Sequence, residues 1–83
     1  MLINIDNVNA SFTFCELPDG NIGVSARSKG DINVQLVMEA LGGGGHRTVA
    51  GAQLKERTVE EAQQDVMAAL RDVINKNKET EKE

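Results

Sequence analysis

The sequence predicts a small α/β domain in which a few strands form one sheet and two helices pack on it. Apolar residues alternate with polar ones on both sides of the turn signal Pro18-Asp19-Gly20-Asn21, which is the pattern of an antiparallel hairpin. Two later stretches carry apolar residues at intervals of three and four, the spacing of amphipathic helices. With 83 residues, of which 40% are hydrophobic, the chain has the length and composition of one folded domain.

The hairpin should join a strand over residues 10–17 to a second strand that follows the turn. Phe12 and Phe14 stand two residues apart, so both side chains should point to the same face of the sheet. The second strand places three apolar residues on one face: Ile22, Val24 and Ala26. Ser25 and Arg27 alternate with them and therefore belong to the opposite face.

The first helix should be capped by Asp31 and stopped by Gly42, since a carboxylate caps a helix N-terminus and glycine commonly ends one. Its apolar positions are Val34, Val37, Met38 and Leu41. The small apolar residues over 48–54 predict a third strand in close contact with neighbouring backbone.

The second helix should begin at Val59, directly after Thr58, which forms the spacing of a capping box with Glu61. Its apolar stripe predicts that it continues to about Asn75. Residues 76–83 contain no apolar side chain, so we expect a solvated charged tail there and a folded domain over residues 1–75.

Charge and aromatic content exclude some functions. The formal net charge is -4, whereas a duplex-DNA binder normally carries a basic stripe. Two Phe, no Trp and no Tyr leave few platforms on which bases of a single strand could stack. The lone Cys15 cannot form an internal disulfide, and there is no apolar run long enough to span a bilayer, so a cytoplasmic location is expected.

Four consecutive glycines precede the single histidine, His46. A flexible connector between helix and strand is one explanation for them. The alternative is an anion site, because glycines without Cβ atoms let a phosphate reach the N–H groups of the backbone. We favour a phosphate-binding loop made of Gly43, Gly44, Gly45 and His46, although the spacing matches neither common phosphate-loop motif. A histidine in such a loop can equally be satisfied by backbone, and no Cys or second His completes a metal site.

Arg27 offers a fork of donors that matches phosphate oxygens, although it can also be an ordinary surface arginine. Ser25 and Ser28 lie beside it, and Asn33 falls near the start of the first helix, where it could read a polar base edge or be solvated. Taken separately, these residues decide little.

Read together, four segments resemble the C-terminal DHH-associated domain of DHH phosphoesterases. The segments are Ser25-Ala26-Arg27-Ser28, Asp31-Ile32-Asn33-Val34-Gln35, Met38-Glu39-Ala40-Leu41-Gly42-Gly43-Gly44-Gly45-His46 and Ala50-Gly51-Ala52. The resemblance covers residues 3–74 and is closest to the membrane-anchored cyclic-di-AMP phosphodiesterases of the GdpP type. Arg47 departs from the pattern, since a small or aliphatic residue is expected after the histidine.

The resemblance implies an α/β domain with a small mixed sheet, joined in a longer parent chain to an N-terminal DHH domain. In that family the DHH domain carries two manganese ions, and its Asp-His-His motif does not occur in this sequence. The resemblance assigns Arg27 and His46 to substrate phosphate, with backbone N–H groups from Gly44 and Gly45. We therefore expect no catalytic residue, metal or other cofactor in this fragment, and no hydrolysis by it alone.

The expected partners are a nucleotide substrate, either cyclic-di-AMP or a short linear dinucleotide, and the DHH domain of the same parent chain. The parent is expected to be membrane-anchored with its catalytic part in the cytoplasm, and a homodimer is left open. Two alternatives are kept: a lobe of an oligoribonuclease that acts on short RNA, and a non-catalytic module for RNA binding or oligomerisation. The acidic charge and scarce aromatics count against RNA binding.

Overall fold

The computed structural model describes the backbone of residues 2–81, and their side chains except those of Asn7 and residues 77–81. The strands are β1 (Leu2–Ile5), β2 (Ala10–Glu16), β3 (Ile22–Ser28), β4 (Gly44–Gly45) and β5 (Val49–Leu54), and the helices are α1 (Val34–Ala40) and α2 (Val59–Glu81). The five strands form one sheet in the order β1-β2-β3-β5-β4. The predicted α/β class, a small sheet with two helices, is confirmed.

The sheet is antiparallel, whereas the sequence predicts a mixed sheet. Within the described residues, every pair of neighbouring strands is antiparallel. The segment β3–α1–β4 is a crossover that brings β4 back parallel to β3, but β5 then turns back and inserts between them. The strands β3 and β4 therefore run parallel to each other, but β5 lies between them and they are not hydrogen-bonded.

Both helices cover the same face of the sheet. Phe12 and Phe14 of β2 are buried there, as predicted, and so are the predicted apolar residues of β3. The first helix adds three residues with no exposed surface: Val34, Val37 and Met38. The helix α2 adds a stripe that includes Ala62, Val66 and Leu70 to the same cluster. Among the residues that the structure describes, the core thus lies on one side of the sheet, and no other layer covers the opposite face.

The cap of α1 differs from the expected one. Asn33 is the N-cap, and its Oδ1 accepts the N–H of Gln35 at 3.0 Å. Asp31 instead accepts a hydrogen bond from Asn9 Nδ2 at 2.8 Å, so it joins two loops. The reason is that Ile32, which is 1% exposed, enters the core before the helix can begin. The predicted stop at Gly42 is confirmed by its φ of +85°.

The start of α2 agrees with the prediction. The N–H of Glu61 donates to Thr58 Oγ1 at 3.1 Å, and Glu61 Oε1 accepts the N–H of Thr58 at 3.0 Å, so the capping box is complete. Arg57 precedes the box and holds both carboxylate oxygens of Asp65, at 2.9 and 3.0 Å, and this hydrogen bonding raises the pKa of the guanidinium.

The end of α2 differs from the expected one. The helix continues to Glu81, whereas its apolar stripe predicted an end near Asn75. The added residues include Lys and Glu, which favour a helix even without apolar contacts. The side chains of the predicted tail beyond Lys76 lie outside the described residues.

Thr58→Ala should lower the free energy of unfolding by about 1 kcal/mol, because the N–H of Glu61 loses its side-chain acceptor. Urea denaturation measures this change. Thr48→Ala is the matched control, because Thr48 is an exposed turn residue whose own contact is made by its backbone carbonyl. Equal losses in the two variants would contradict the capping role.

Candidate functional site

The uncovered face of the sheet carries small and polar side chains in rows. Residues opposite each other in paired strands point to the same face, so the strand register defines these rows. A first row, here called the cationic row, contains Ser11, Arg27, Val49 and His46. A second, the small row, contains Thr13, Ser25, Gly51 and Gly44. A third contains Cys15, Gly23 and Gln53.

The cationic row brings together the two side chains predicted to bind phosphate. Arg27 pairs with Val49 in the register, and the N–H of His46 donates to the carbonyl of Val49 at 2.7 Å. Two strand spacings therefore separate Arg27 from His46, or about 10 Å. Both residues are exposed, and neither side chain makes a hydrogen bond or ion pair with any residue that the structure describes. Their donors are thus available to a ligand.

The four glycines have different structural roles. Gly42 has the left-handed backbone that ends α1. Gly43 lies so close to β5 that an added Cβ would overlap the carbonyl oxygen of Gly51 and stand 2.6 Å from the Cβ of Ala52. Gly45 has a φ of +144°, and its Cβ would stand 2.5 Å from Ala50 Cα. At Gly44, by contrast, a Cβ would meet nothing within 4 Å. The fold therefore requires glycine at positions 42, 43 and 45. Packing against the described residues does not require a glycine at position 44.

The backbone N–H groups of this segment are mostly used within the domain. Those of Gly42 and Gly43 donate to carbonyls at the end of α1, at 3.1 and 2.8 Å. The N–H of His46 donates to β5. Successive N–H groups along a strand point to opposite sides and that of His46 points to β5, so the N–H of Gly44 also points to β5 and that of Gly45 to the outer edge of β4. Of the predicted backbone donors, Gly45 is the one that points outward.

Two depressions flank these rows. The larger has a volume of about 640 Å³ and includes Thr13, Cys15, Ser25, Gly43, Gly51 and Gln53 in its lining. The smaller, of about 340 Å³, includes Asn4, Ser11, Arg27, Ser28 and Lys29. The predicted site residues are therefore divided: Ser25 and Gly43 face the larger depression, and Arg27 and Ser28 the smaller. His46 stands beside them at the turn that joins β4 to β5.

Two predicted polar contacts already have partners inside the chain. The hydroxyl of Ser28 donates to the carbonyl of Ile32 at 2.8 Å and accepts the N–H of Gly30 at 3.2 Å. Asn33 uses its Oδ1 as the cap of α1. Both residues shape the loop between β3 and α1, and a contact of either with substrate stays a prediction.

Sequence reasoning missed Gln53 and Lys29, which line the two depressions. Alternation along β5 places Gln53 on the same face as Gly51. Its position beside the groove also depends on the pairing of β5 with β3, which the sequence alone does not predict.

The departure at Arg47 also has a structural role. Its Nη2 donates to the carbonyl of Gly30 at 3.3 Å, and its own carbonyl accepts the N–H of Val34 at 3.0 Å.

In the part of the chain that the structure describes, no group of three or more His, Cys, Asp or Glu side chains could hold a metal ion. Over the same residues, no helix is both long and apolar enough to cross a membrane.

Comparisons with known proteins agree with the resemblance. The chain is 49% identical to the cyclic-di-AMP phosphodiesterase GdpP of Geobacillus thermodenitrificans over 77 residues, which is 93% of this chain and 12% of that protein. It is 48% identical to the cyclic-di-AMP phosphodiesterase PdeA of Listeria monocytogenes over 69 residues, 83% of this chain and 10% of that protein. A more distant relative is the bifunctional oligoribonuclease and PAP phosphatase NrnA of Thermus thermophilus, 35% identical over 63 residues, 76% of this chain and 19% of that protein.

The chain thus spans only 10 to 19% of the length of these relatives. The profile of one domain family, the DHHA1 domain, matches residues 1–76, which is nearly all of the folded part. This chain therefore belongs to the DHHA1 domain family.

Proposed function

We propose that this domain binds the phosphates of the nucleotide substrate of a DHH phosphodiesterase, and that the substrate is cyclic-di-AMP. The observation that carries the proposal is the placement of Arg27 and His46 in one row beside Gly44, on the sheet face opposite the two helices. The likeness to two cyclic-di-AMP phosphodiesterases over most of the chain supports the choice of substrate.

The three parts of the site act differently on a phosphate. The guanidinium of Arg27 can hold two oxygens at once, and the imidazole of His46 can donate one hydrogen bond when neutral and two when protonated. The missing side chain of Gly44 leaves room for a phosphate to approach β4, where the N–H of Gly45 points outward. The separation of about 10 Å between the two side chains allows each to take a different phosphate of a dinucleotide.

The donors on this face do not fit a manganese ion, which prefers carboxylate, carbonyl and water oxygens. His46 is the single histidine of the chain, and the described residues hold no ligand cluster. We therefore place the two manganese ions, and the catalytic residues, in the DHH domain of a parent chain, as the resemblance implies. The contribution of this domain is to hold the substrate in the orientation that the reaction needs. The cytoplasmic location and the membrane anchor of the parent belong to the same proposal.

Titration of this chain with cyclic-di-AMP tests the proposal. At millimolar ligand, the amide resonances of Gly44 and Gly45 should shift, and Arg27→Ala should weaken binding about tenfold, which is about 1.4 kcal/mol. Arg71→Ala is the control, because Arg71 is an exposed arginine on α2, the helix-covered side of the domain. Unmoved glycine amides, or an equal loss in both variants, would sink the proposal.

An oligoribonuclease lobe is the second candidate, because the chain is also similar to NrnA. The same phosphate contacts would serve a short linear RNA. Turnover of cyclic-di-AMP and of linear dinucleotides by the parent enzyme would rank the two substrates. An oligomerisation module is less favoured, because the outer face of the β2–β3 hairpin carries Ser, Thr, Gly and Arg instead of a large apolar surface.

A further inference from the structure

We infer that the larger depression beside the glycines seats a nucleobase, and that Gln53 selects adenine there. The inference rests on the proposed phosphate site, since it adds a base contact to the same ligand. It concerns the groove lined by Thr13, Cys15, Ser25, Gly43, Gly51 and Gln53, whose lining does not include Arg27 or His46.

The position of Gln53 suits a base attached to a bound phosphate. Gly44 lies opposite Gly51 on β5, and Gln53 follows Gly51 by two residues on the same face. Two residues of a strand span about 7 Å, so Gln53 lies about 7 Å from the row that contains Gly44. A distance of this order is bridged by the sugar of a nucleotide. A nucleotide with its phosphate at Gly44 and Gly45 can therefore extend its base along β5 towards Gln53.

The shape of the groove suits a flat ring. Gly23 and Gly51 occupy neighbouring strands of its floor and add no side chains of their own to it. Leu17 forms an apolar wall, since its Cδ2 would lie 3.4 Å from a Cβ added to Gly23. The groove volume of about 640 Å³ falls within the usual range for small-molecule sites.

The chemistry of the lining points to adenine. Gln53 is exposed, and its amide makes no hydrogen bond with any residue in the described part of the chain. A glutamine offers a donor and an acceptor side by side, and adenine presents the complementary pair on its amino group and neighbouring ring nitrogen. Guanine presents two acceptors on the equivalent edge, so one of the two hydrogen bonds is lost. Thr13 and Ser25 carry hydroxyls that donate or accept equally, so they do not discriminate.

The test compares cyclic-di-AMP with cyclic-di-GMP, by titration of this chain followed by amide resonances. The unchanged chain should bind cyclic-di-AMP more tightly, and the side-chain amide of Gln53 should shift with it. Gln53→Glu should lower the ratio of the two affinities about tenfold, or about 1.4 kcal/mol, because the carboxylate cannot donate to the ring nitrogen of adenine but can accept the N–H donors that guanine carries on its other, Watson–Crick edge. Gln64→Glu is the matched control, with the same chemical change on an exposed part of α2. Its ratio should equal that of the unchanged chain.

The outcomes separate this inference from the phosphate site. If the Gly45 amide shifts with both ligands and Gln53→Glu leaves the ratio unchanged, the base contact is wrong and the phosphate site stands. If neither ligand moves Gly45 or Gln53, both proposals fail. A ratio that changes equally in the Gln64→Glu variant would assign the effect to net charge and overturn the role of Gln53.

Discussion

Gly43→Ala is expected to lower the free energy of unfolding by about 3 kcal/mol. The added Cβ would overlap the carbonyl oxygen of Gly51 and press on Ala52, and two of the three nearest atoms belong to the backbone of β5. Backbone cannot rotate away as a flexible side chain can, so β4 or β5 must move. The gain of about 0.4–1 kcal/mol that alanine brings by restricting the unfolded chain is too small to offset this cost. Urea denaturation of the two proteins measures the difference.

Gly44→Ala is the matched control, since it makes the same change one residue later. Its Cβ would point into open space, so the free energy of unfolding should stay within about 0.5 kcal/mol of the unchanged chain or rise slightly. The same methyl group would occupy the space proposed for phosphate, so affinity for cyclic-di-AMP should fall. Equal destabilisation by the two substitutions would show that the close contact of Gly43 with β5 is incorrect.

Replacing both Arg27 and His46 by alanine should lower kcat/KM for cyclic-di-AMP about hundredfold in the proposed parent phosphodiesterase, or about 2.7 kcal/mol. Each side chain is expected to contribute about tenfold through a hydrogen bond to phosphate. The two effects should add, because the residues are about 10 Å apart and share no partner in the described structure. Steady-state kinetics of the two single variants and the double variant measure this.

Lys55→Ala combined with Arg71→Ala is the control, because both residues are exposed cations away from the cationic row. That variant should keep kcat/KM within about twofold, since its changes affect only the general charge of the surface. A double Arg27 and His46 variant no worse than either single variant would mean that both side chains hold one phosphate. Unchanged kinetics would refute the proposed site.

Much of the fold follows from local signals in the sequence. The Pro18-Asp19-Gly20-Asn21 turn, the alternation around it and the Thr58–Glu61 capping box each specify structure within a few residues, and all three are present. The sequence predicts a cap for α1 at Asp31, since a carboxylate accepts the N–H groups of a helix N-terminus. Only the burial of Ile32 in the core, a tertiary contact, moves the start of the helix to Asn33.

The glycine segment shows where local reasoning ends. Four glycines in a row predict freedom of the backbone but do not distinguish the four positions. Their separate roles come from β5, which packs against Gly43 and pairs with Gly44 and Gly45. The pairing of β5 between β3 and β4 likewise brings Arg27 and His46 into one row. A topology in which β5 lay elsewhere would have separated them, so the sequence alone could name the two residues but not their arrangement.

The turn between β4 and β5 is fastened to the rest of the domain on two sides. The carbonyl of Arg47 accepts the N–H of Val34 at the start of α1, and the carbonyl of Thr48 accepts the N–H of Ser28 at the end of β3. A segment held in this way is already ordered before any ligand arrives, which makes a site preorganised and reduces the entropy lost on association. The conformational freedom of the four glycines is thus given up when the chain folds, before the proposed nucleotide ligand binds.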